Sequence, residues 1–191
     1  MTEIELKAHV YDRKKTVENL NSFAKYEDSV IRDDIYYKNE SNGKPSIRIR
    51  NENRDSGKDC LITYKRKEIR TGDDGVKIEV NNEMETFIGD PEPLKAFLED
   101  AGYTVSLKKH KEVQDWSFIT EDGKKATLEL CSVPPLGDFL EIEILSPVND
   151  EKTVSETHKT LKMLLSRAGI PEKDIEERYY SEMLREISNN L

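Results

Sequence analysis

One pattern constrains this chain more than any other. Apolar residues alternate with charged ones, and on each run the charges have one dominant sign. Between Thr2 and Tyr11, Ile4, Leu6, Ala8 and Val10 share one side, with Glu3, Glu5 and Lys7 on the other. Further on, Ile47 and Ile49 oppose Arg48 and Arg50, and Leu140, Ile142 and Ile144 oppose Glu141 and Glu143. Thr63, Lys65 and Lys67 share a side of another run, as do Lys109 and Lys111. Successive strand residues point to opposite faces, so each run predicts a strand with one core face and one ionised face. An ordinary half-exposed strand scatters mixed polar residues there instead.

The punctuation between the runs predicts the rest. Strands are expected at Thr2–Tyr11, Ser29–Lys38, Ser46–Asn51, Cys60–Ile69, Val76–Ile88, Tyr103–Ile119, Lys125–Val133 and Phe139–Leu145. Turns fall at Asn39–Pro45, Thr71–Gly75 and Glu121–Lys124, and a polar loop at Asn53–Lys58. Asp12 can cap a helix to about Tyr26 that carries Val17, Leu20 and Ala24. Pro91 opens a second helix, with Leu94, Phe97 and Leu98, which stops at Gly102. Two helices close the chain. Asp150–Ala168 carries Val154, His158, Leu161, Leu164 and Leu165, and Glu172–Ile187 carries Ile175, Tyr179, Met183 and Leu184. Strands with hairpin turns plus helices predict an α+β fold, an antiparallel sheet or barrel with helices attached.

The 191 residues predict a single domain over 1–191, and 36% of them are charged. So polar a chain could be disordered, but periodicity almost throughout argues against that. The net charge of −9 argues against a general nucleic-acid binder. No run reaches the roughly 18 apolar residues of a membrane span, and Met1-Thr2-Glu3-Ile4-Glu5 lacks the marks of a signal peptide. Cys60 and Cys131 are too few for a disulfide framework. The expectation is a reduced, cytoplasmic protein.

The ionised faces have two possible placements. On an open sheet they meet water and mean little. In a closed barrel wrapped by the helices, the apolar faces point outward and the charges line the interior. Buried charges need partners, and acids in one sector with bases in others would suit a polyphosphate and its metal ions. Carboxylates hold hard divalent cations, and Arg and Lys neutralise phosphate oxygens. Glu3 and Glu5, about 6–7 Å apart at roughly 3.3 Å per residue, could hold one ion or flank two.

Several strings fit the second placement. Glu3-Ile4-Glu5-Leu6-Lys7 resembles the ExExK signature of the CYTH, or triphosphate tunnel metalloenzyme, superfamily. Asp34-Ile35-Tyr36-Tyr37, Ile47-Arg48-Ile49-Arg50, Leu61-Ile62-Thr63-Tyr64-Lys65 and Leu136-Gly137-Asp138-Phe139-Leu140-Glu141-Ile142-Glu143 resemble its later strands, in family order. The tail, Gly169-Ile170-Pro171 and then Arg178-Tyr179-Tyr180-Ser181-Glu182-Met183-Leu184, is most similar to the class IV adenylyl cyclase branch. The resemblance implies a closed eight-stranded antiparallel β-barrel with surrounding helices. Its tunnel would bind a small-molecule triphosphate with Mg²⁺ or Mn²⁺. It implies Glu3, Glu5, Glu141 and Glu143 on the metal side. Lys7, Arg48, Arg50, Lys65, Lys67, Lys109 and Lys111 would face phosphate, with Glu5, Lys7, Lys65 and Lys109 at the reacting group. The activity would be ATP cyclisation or triphosphate hydrolysis, with a non-catalytic polyphosphate-binding module as the alternative outside enzymes. A homodimer is compatible with it.

The chain departs from the family pattern in three places. Cys131 stands where the family usually has an aspartate, and Glu129 on the same face could substitute. Lys109-His110-Lys111 replaces the usual Lys-x-Arg, and the fifth strand fits two registers, through Lys77 and Glu79 or through Glu83 and Glu85. His9, His110 and His158 have no second ligand at metal spacing. Trp116 and Tyr103 read as packing residues.

Overall fold

A computed structural model describes residues 2–39, 47–71, 77–147 and 150–189, without the side chains of 65–71, 77–83, 188 and 189. Among the described residues, eight strands and four helices follow in the order β1 (Thr2–Val10), α1 (Arg13–Phe23), β2 (Lys25–Lys38), β3 (Ile47–Arg54), β4 (Gly57–Thr71), β5 (Lys77–Phe87), α2 (Glu92–Asp100), β6 (Thr104–Ile119), β7 (Lys125–Val133), β8 (Gly137–Ser146), α3 (Glu151–Arg167) and α4 (Tyr180–Asn189). A short 3₁₀ turn, Glu172–Asp174, lies between α3 and α4.

All neighbouring strands are antiparallel, in the order β1-β5-β4-β3-β2-β6-β7-β8. β1 lies between β8 and β5, and the two seams differ in length. Towards β8 the pairing runs from Thr2↔Ser146 to Val10↔Asp138. Towards β5 it runs only from Glu3↔Asn81 to Glu5↔Glu79. Beyond Glu5 the C-terminal segment takes over that edge. Ala8 bridges Ile175, and the Glu176 N–H donates to the Lys7 carbonyl at 2.8 Å.

The apolar faces point outward, where helices cover them. Ile4, Leu6, Ala8, Leu128, Leu130, Leu140, Ile142 and Ile144 pack with Leu20 of α1 and Val154, Leu161, Leu164 and Leu165 of α3. Trp116 joins this layer and its indole N–H donates to Asn21 at 2.8 Å, a packing role. Across the sheet, Tyr37 and Ile49 pack with Leu98 of α2, flanked by half-buried Ile35, Ile47, Leu94 and Tyr103. Each fully buried aliphatic side chain contributes about 1.5–3 kcal/mol, so these two layers hold the helices to the sheet.

The helix starts follow from local chemistry. The Asp12 carboxylate accepts the Lys15 N–H and the Asp150 carboxylate the Thr153 N–H, both at 3.0 Å. Pro91 precedes α2, where a missing N–H costs nothing. Gly169 ends α3 at φ +83°, and a Cβ there would collide with the Asn19 amide, which donates to the Ala168 carbonyl.

Several boundaries differ from the expectation. The first helix stops at Phe23, and β2 begins at Lys25, four residues early. The expected polar loop at Asn53–Lys58 is instead a tight hairpin, with Arg54 paired to Gly57. The last helix starts at Tyr180, not Glu172, because Ile175 and Glu176 are extended along β1. Its buried residues are Tyr180, Met183 and Leu184, so Tyr180 and not Tyr179 faces inward. The expected turns at Asn39–Pro45 and Thr71–Gly75 fall largely outside the described residues.

Candidate functional site

The face opposite the helix-covered layers carries the charges. On β2, Asp34 has no exposed side-chain surface and is held from two sides. Arg50 of β3 grips it bidentately, Nε–Oδ1 at 2.7 Å and Nη2–Oδ2 at 3.0 Å. Lys109 of β6 lies 3.2 Å from Oδ2, and the Tyr36 hydroxyl donates to the same oxygen at 3.3 Å. The register sets this up: Asp34 is paired with Arg50 on one side and Lys109 on the other. Burial raises the Asp34 pKa, but Lys109 and Arg50 outweigh it and hold the carboxyl well below the usual range.

A second set surrounds Arg32. Its Nε donates to Glu52 at 2.7 Å and its Nη1 to both oxygens of Glu129, at 2.6 and 2.7 Å. Lys111 adds 2.7 Å to Glu141 and 3.4 Å to Glu129. Burial raises the Glu129 and Glu141 pKa values, yet these cations bring both below the ordinary value. Asp115, beside Glu129 in the register, moves the other way, to about 6, through burial and then the Glu129 charge. Arg48 completes the base side, donating to Thr63 Oγ1 at 3.1 Å and to Glu85 at 3.4 Å.

The acids at the other end of β1 behave differently. Glu5 faces Glu143 across the β1–β8 ladder, and Glu143 shares a hydrogen bond with Glu3. Burial, then the Glu3 contact, then the Glu129 and Glu5 charges push the Glu143 pKa well above its ordinary value. Among the described residues no three His, Cys, Asp or Glu side chains form a ready-made metal cage. Carboxylates in hydrogen-bond contact nonetheless suit a hard divalent cation. Mg²⁺ is commonly held by one or two carboxylates and completes its shell with water and substrate phosphate. By donor chemistry, Glu3, Glu5 and Glu143 fit the implied ion, whereas Glu141 is engaged by Lys111.

The C-terminal segment reaches into the base group. The Tyr180 ring has the ammonium groups of Lys7, Lys109 and Lys111 at 4.7, 5.1 and 5.6 Å from its centroid. Lys7 Nζ also donates to the Arg178 carbonyl at 2.6 Å. The Tyr180 hydroxyl lies 3.4 Å from Cys131 Sγ, and its ring packs edge-on against Phe139.

The expected residues are thus distributed as follows. Lys7, Lys109 and Lys111 meet around Tyr180, Arg50 joins Lys109 through Asp34, and Arg48 borders Thr63. Glu3, Glu5 and Glu143 meet as acids, and Glu141 pairs with Lys111. Lys65 and Lys67, like Glu79 and Glu83, have side chains outside the described residues. Glu129 is committed to Arg32. Cys131 is fully buried, and burial pushes its thiol up to about 12. His9 lies 3.1 Å from Glu176 and His110 2.7 Å from Asp33. Arg32, Glu52, Asp115 and Tyr180 were not read as site residues. Asp34 and Tyr180 stood inside strings already compared with the family, and that was the only signal for them.

Known proteins share this fold. No curated protein sequence matches the chain. Among solved structures, the PH1819 protein from Pyrococcus horikoshii OT3 superposes with TM-score 0.74 and 26% identity, over 97% of this chain and 99% of its own. A candidate adenylate cyclase from Vibrio parahaemolyticus gives 0.68 and 20%, over 97% and 98%. HpAC1 from Hippeastrum, a candidate adenylyl cyclase with a dominant triphosphatase activity, gives 0.61 and 15%, over 99% and 97%. The last two likenesses concern the fold. The CYTH domain profile matches residues 1–180. The chain belongs to the CYTH family.

Proposed function

We propose that the strands enclose a channel that binds a linear triphosphate with Mg²⁺ or Mn²⁺, and that the chain is a metal-dependent triphosphate-processing enzyme. One observation carries this reading. A group of bases, Lys7, Arg48, Arg50, Lys109 and Lys111, lies on the same sheet face as a group of acids, Glu3, Glu5 and Glu143, where burial and the neighbouring carboxylates raise the Glu143 pKa. The bases, with Lys65 and Lys67 of β4, would grip phosphate oxygens, and Glu3, Glu5 and Glu143 would hold the ion, which Glu141 would join only by leaving Lys111. Glu5, Lys7, Lys65 and Lys109 would border the reacting phosphate.

The first reading is an adenylyl cyclase, in which the ribose 3′-oxygen of ATP attacks the α-phosphorus and pyrophosphate leaves. Lys7, Lys109 and Lys111 neutralise charge that builds on the leaving group. A bound divalent ion supplies acidity at the attacking hydroxyl and charge neutralisation at phosphate. A triphosphatase is the second reading. Glu141 and Glu129 are held by Lys111 and Arg32, so neither takes a second ion without giving up that pair. Hydrolysis needs only water aligned on the terminal phosphorus.

Incubation with Mg²⁺ or Mn²⁺ and ATP, inorganic triphosphate or thiamine triphosphate, followed by product identification, separates the readings. Cyclic AMP with pyrophosphate supports the cyclase, and orthophosphate the triphosphatase. Metal-dependent binding without turnover makes the chain a binding module.

A further inference from the structure

We propose that Arg32 takes the place of a second divalent ion, so that the chain works with one ion, at Glu3, Glu5 and Glu143, and a fixed guanidinium beside it. The inference rests on the triphosphate reading above and adds to it how many ions that site uses and which residue sets the number.

The guanidinium sits where carboxylates from three strands converge. Glu52 comes from β3, Asp115 from β6 and Glu129 from β7. Arg32 itself is 8% exposed. Its Nε holds Glu52 at 2.7 Å, its Nη1 holds both Glu129 oxygens, and its Nη2 lies 4.0 Å from Asp115. Acids from separate strands around one buried centre are the donor set a hard cation takes. Here the centre is a side chain. The place also borders the ion site. Glu129 faces Glu141 across the β7–β8 ladder, next to Glu143 on the same face of β8, and its charge is felt at Glu143.

Charge closes the position to a metal ion as firmly as occupancy does. Lys111 lies 3.4 Å from Glu129 and 2.7 Å from Glu141, Arg54 2.9 Å from Glu52 and Arg50 3.9 Å from Glu52. A divalent ion entering there would meet these three cations as well as Arg32, and would have to break the Arg32–Glu129 pair to gain a ligand. Cys131, next to Glu129 on the same face of β7, adds no anion, because burial pushes its thiol up to about 12.

The substitution is not neutral in its chemistry. Two-ion sites set a metal at both the attacking and the leaving oxygens, and each metal can acidify the water it binds. A guanidinium is always charged, stays attached to the chain and supplies neutralisation without that acidity. With Arg32 in the second place, one side of the site receives an ion and the other a permanent positive charge. Arg32 is a positioning residue: it acts through Glu129, which it keeps from becoming a metal ligand.

Counting bound Mn²⁺ tests this. Mn²⁺ alone is titrated into the full chain and the free ion read by electron paramagnetic resonance. Binding of inorganic triphosphate is measured separately, by calorimetry in EDTA. The unaltered chain should take about one Mn²⁺, Arg32→Gln about two, and Arg32→Lys, which keeps the charge, about one. Arg32→Gln combined with Glu129→Gln should return to about one, because the released ligand is gone. A merely structural arginine would change the stability of these variants and leave the count alone. If Arg32→Gln melts too early to be titrated, Mn²⁺ should raise its Tm more than it raises the parent's, since an ion that binds only the folded variant stabilises it. Two Mn²⁺ on the unaltered chain, or an Arg32→Gln variant that gains neither a second ion nor the larger Tm rise, overturns the role of Arg32 and leaves the triphosphate reading standing. An unaltered chain that binds no Mn²⁺, or no inorganic triphosphate, overturns the triphosphate reading itself.

Discussion

Asp34 offers the sharpest test of how the charged face is held together. Asp34→Ala removes the one carboxylate lodged between Arg50 and Lys109. Each pair would be worth about 4 kcal/mol at an effective dielectric of 20 and 4 Å, before the cost of desolvating three charged groups. Breaking a buried pair and stranding its partners costs about 3–5 kcal/mol net. For a chain of this size, 1 kcal/mol shifts Tm by about 2–4 °C, so the variant should melt about 6–20 °C lower. Because the folded carboxyl titrates below its ordinary value, the stabilisation is complete above about pH 3.8 and shrinks as pH falls below it. Inorganic triphosphate should return part of the loss by supplying the missing negative charge, and so stabilise the variant more than the parent. Thermal melts by circular dichroism, with and without triphosphate at several pH values, read all three effects. A variant that melts like the parent at pH 7, or gains no more from triphosphate than the parent does, would refute the reasoning.

Three further outcomes follow. Glu143→Gln should raise the metal-free Tm by relieving repulsion, yet raise the Mg²⁺ or Mn²⁺ concentration needed for half-maximal binding; a parallel fall in both would separate Glu143 from the metal. In the folded protein at pH 8, a thiol reagent should label half-buried Cys60 in preference to buried Cys131, and Cys131→Ser should cost no more than about 1 kcal/mol; rapid labelling of Cys131 would contradict its burial. His110 should titrate above 6.5 by NMR because Asp33 hydrogen-bonds its ring, and Asp33→Asn should lower that midpoint. The His110 contribution to stability is present below that range and lost as pH rises through the raised value, and exposure keeps it small.

Much of the fold was legible because two-residue alternation and hairpin turns are local signals. The caps at Asp12 and Asp150 and the proline before α2 fall where side-chain chemistry puts them. The C-terminus was misread because Ile175, Tyr179, Met183 and Leu184 fit a helical period, while pairing of Ile175 with Ala8 is a long-range event that no local pattern announces. On the charged face, the bases and acids of β1, β3, β6 and β8 could be picked out by sign. Their partners could not. Asp34 meets Arg50 and Lys109, and Arg32 meets Glu129, only once three strands are in register. Tyr180 was hidden for a related reason: one aromatic residue at a helix start looks the same whether it packs on a core alone or also meets three lysines.

The split edge of β1 also bears on how the chain is made. β1 is translated before its partners, and one edge waits for β8 and the other for β5 and then Ile175 and Glu176. At about 5–20 residues per second, a ribosome leaves that strand unpartnered on one side for several seconds or more, until β8 emerges. Contacts of such long sequence separation fold slowly. Its inward residues Glu3, Glu5 and Lys7 are charged, which discourages stray pairing of a waiting edge. The same residues proposed to meet phosphate and metal would then also serve the nascent chain as its guard against aggregation.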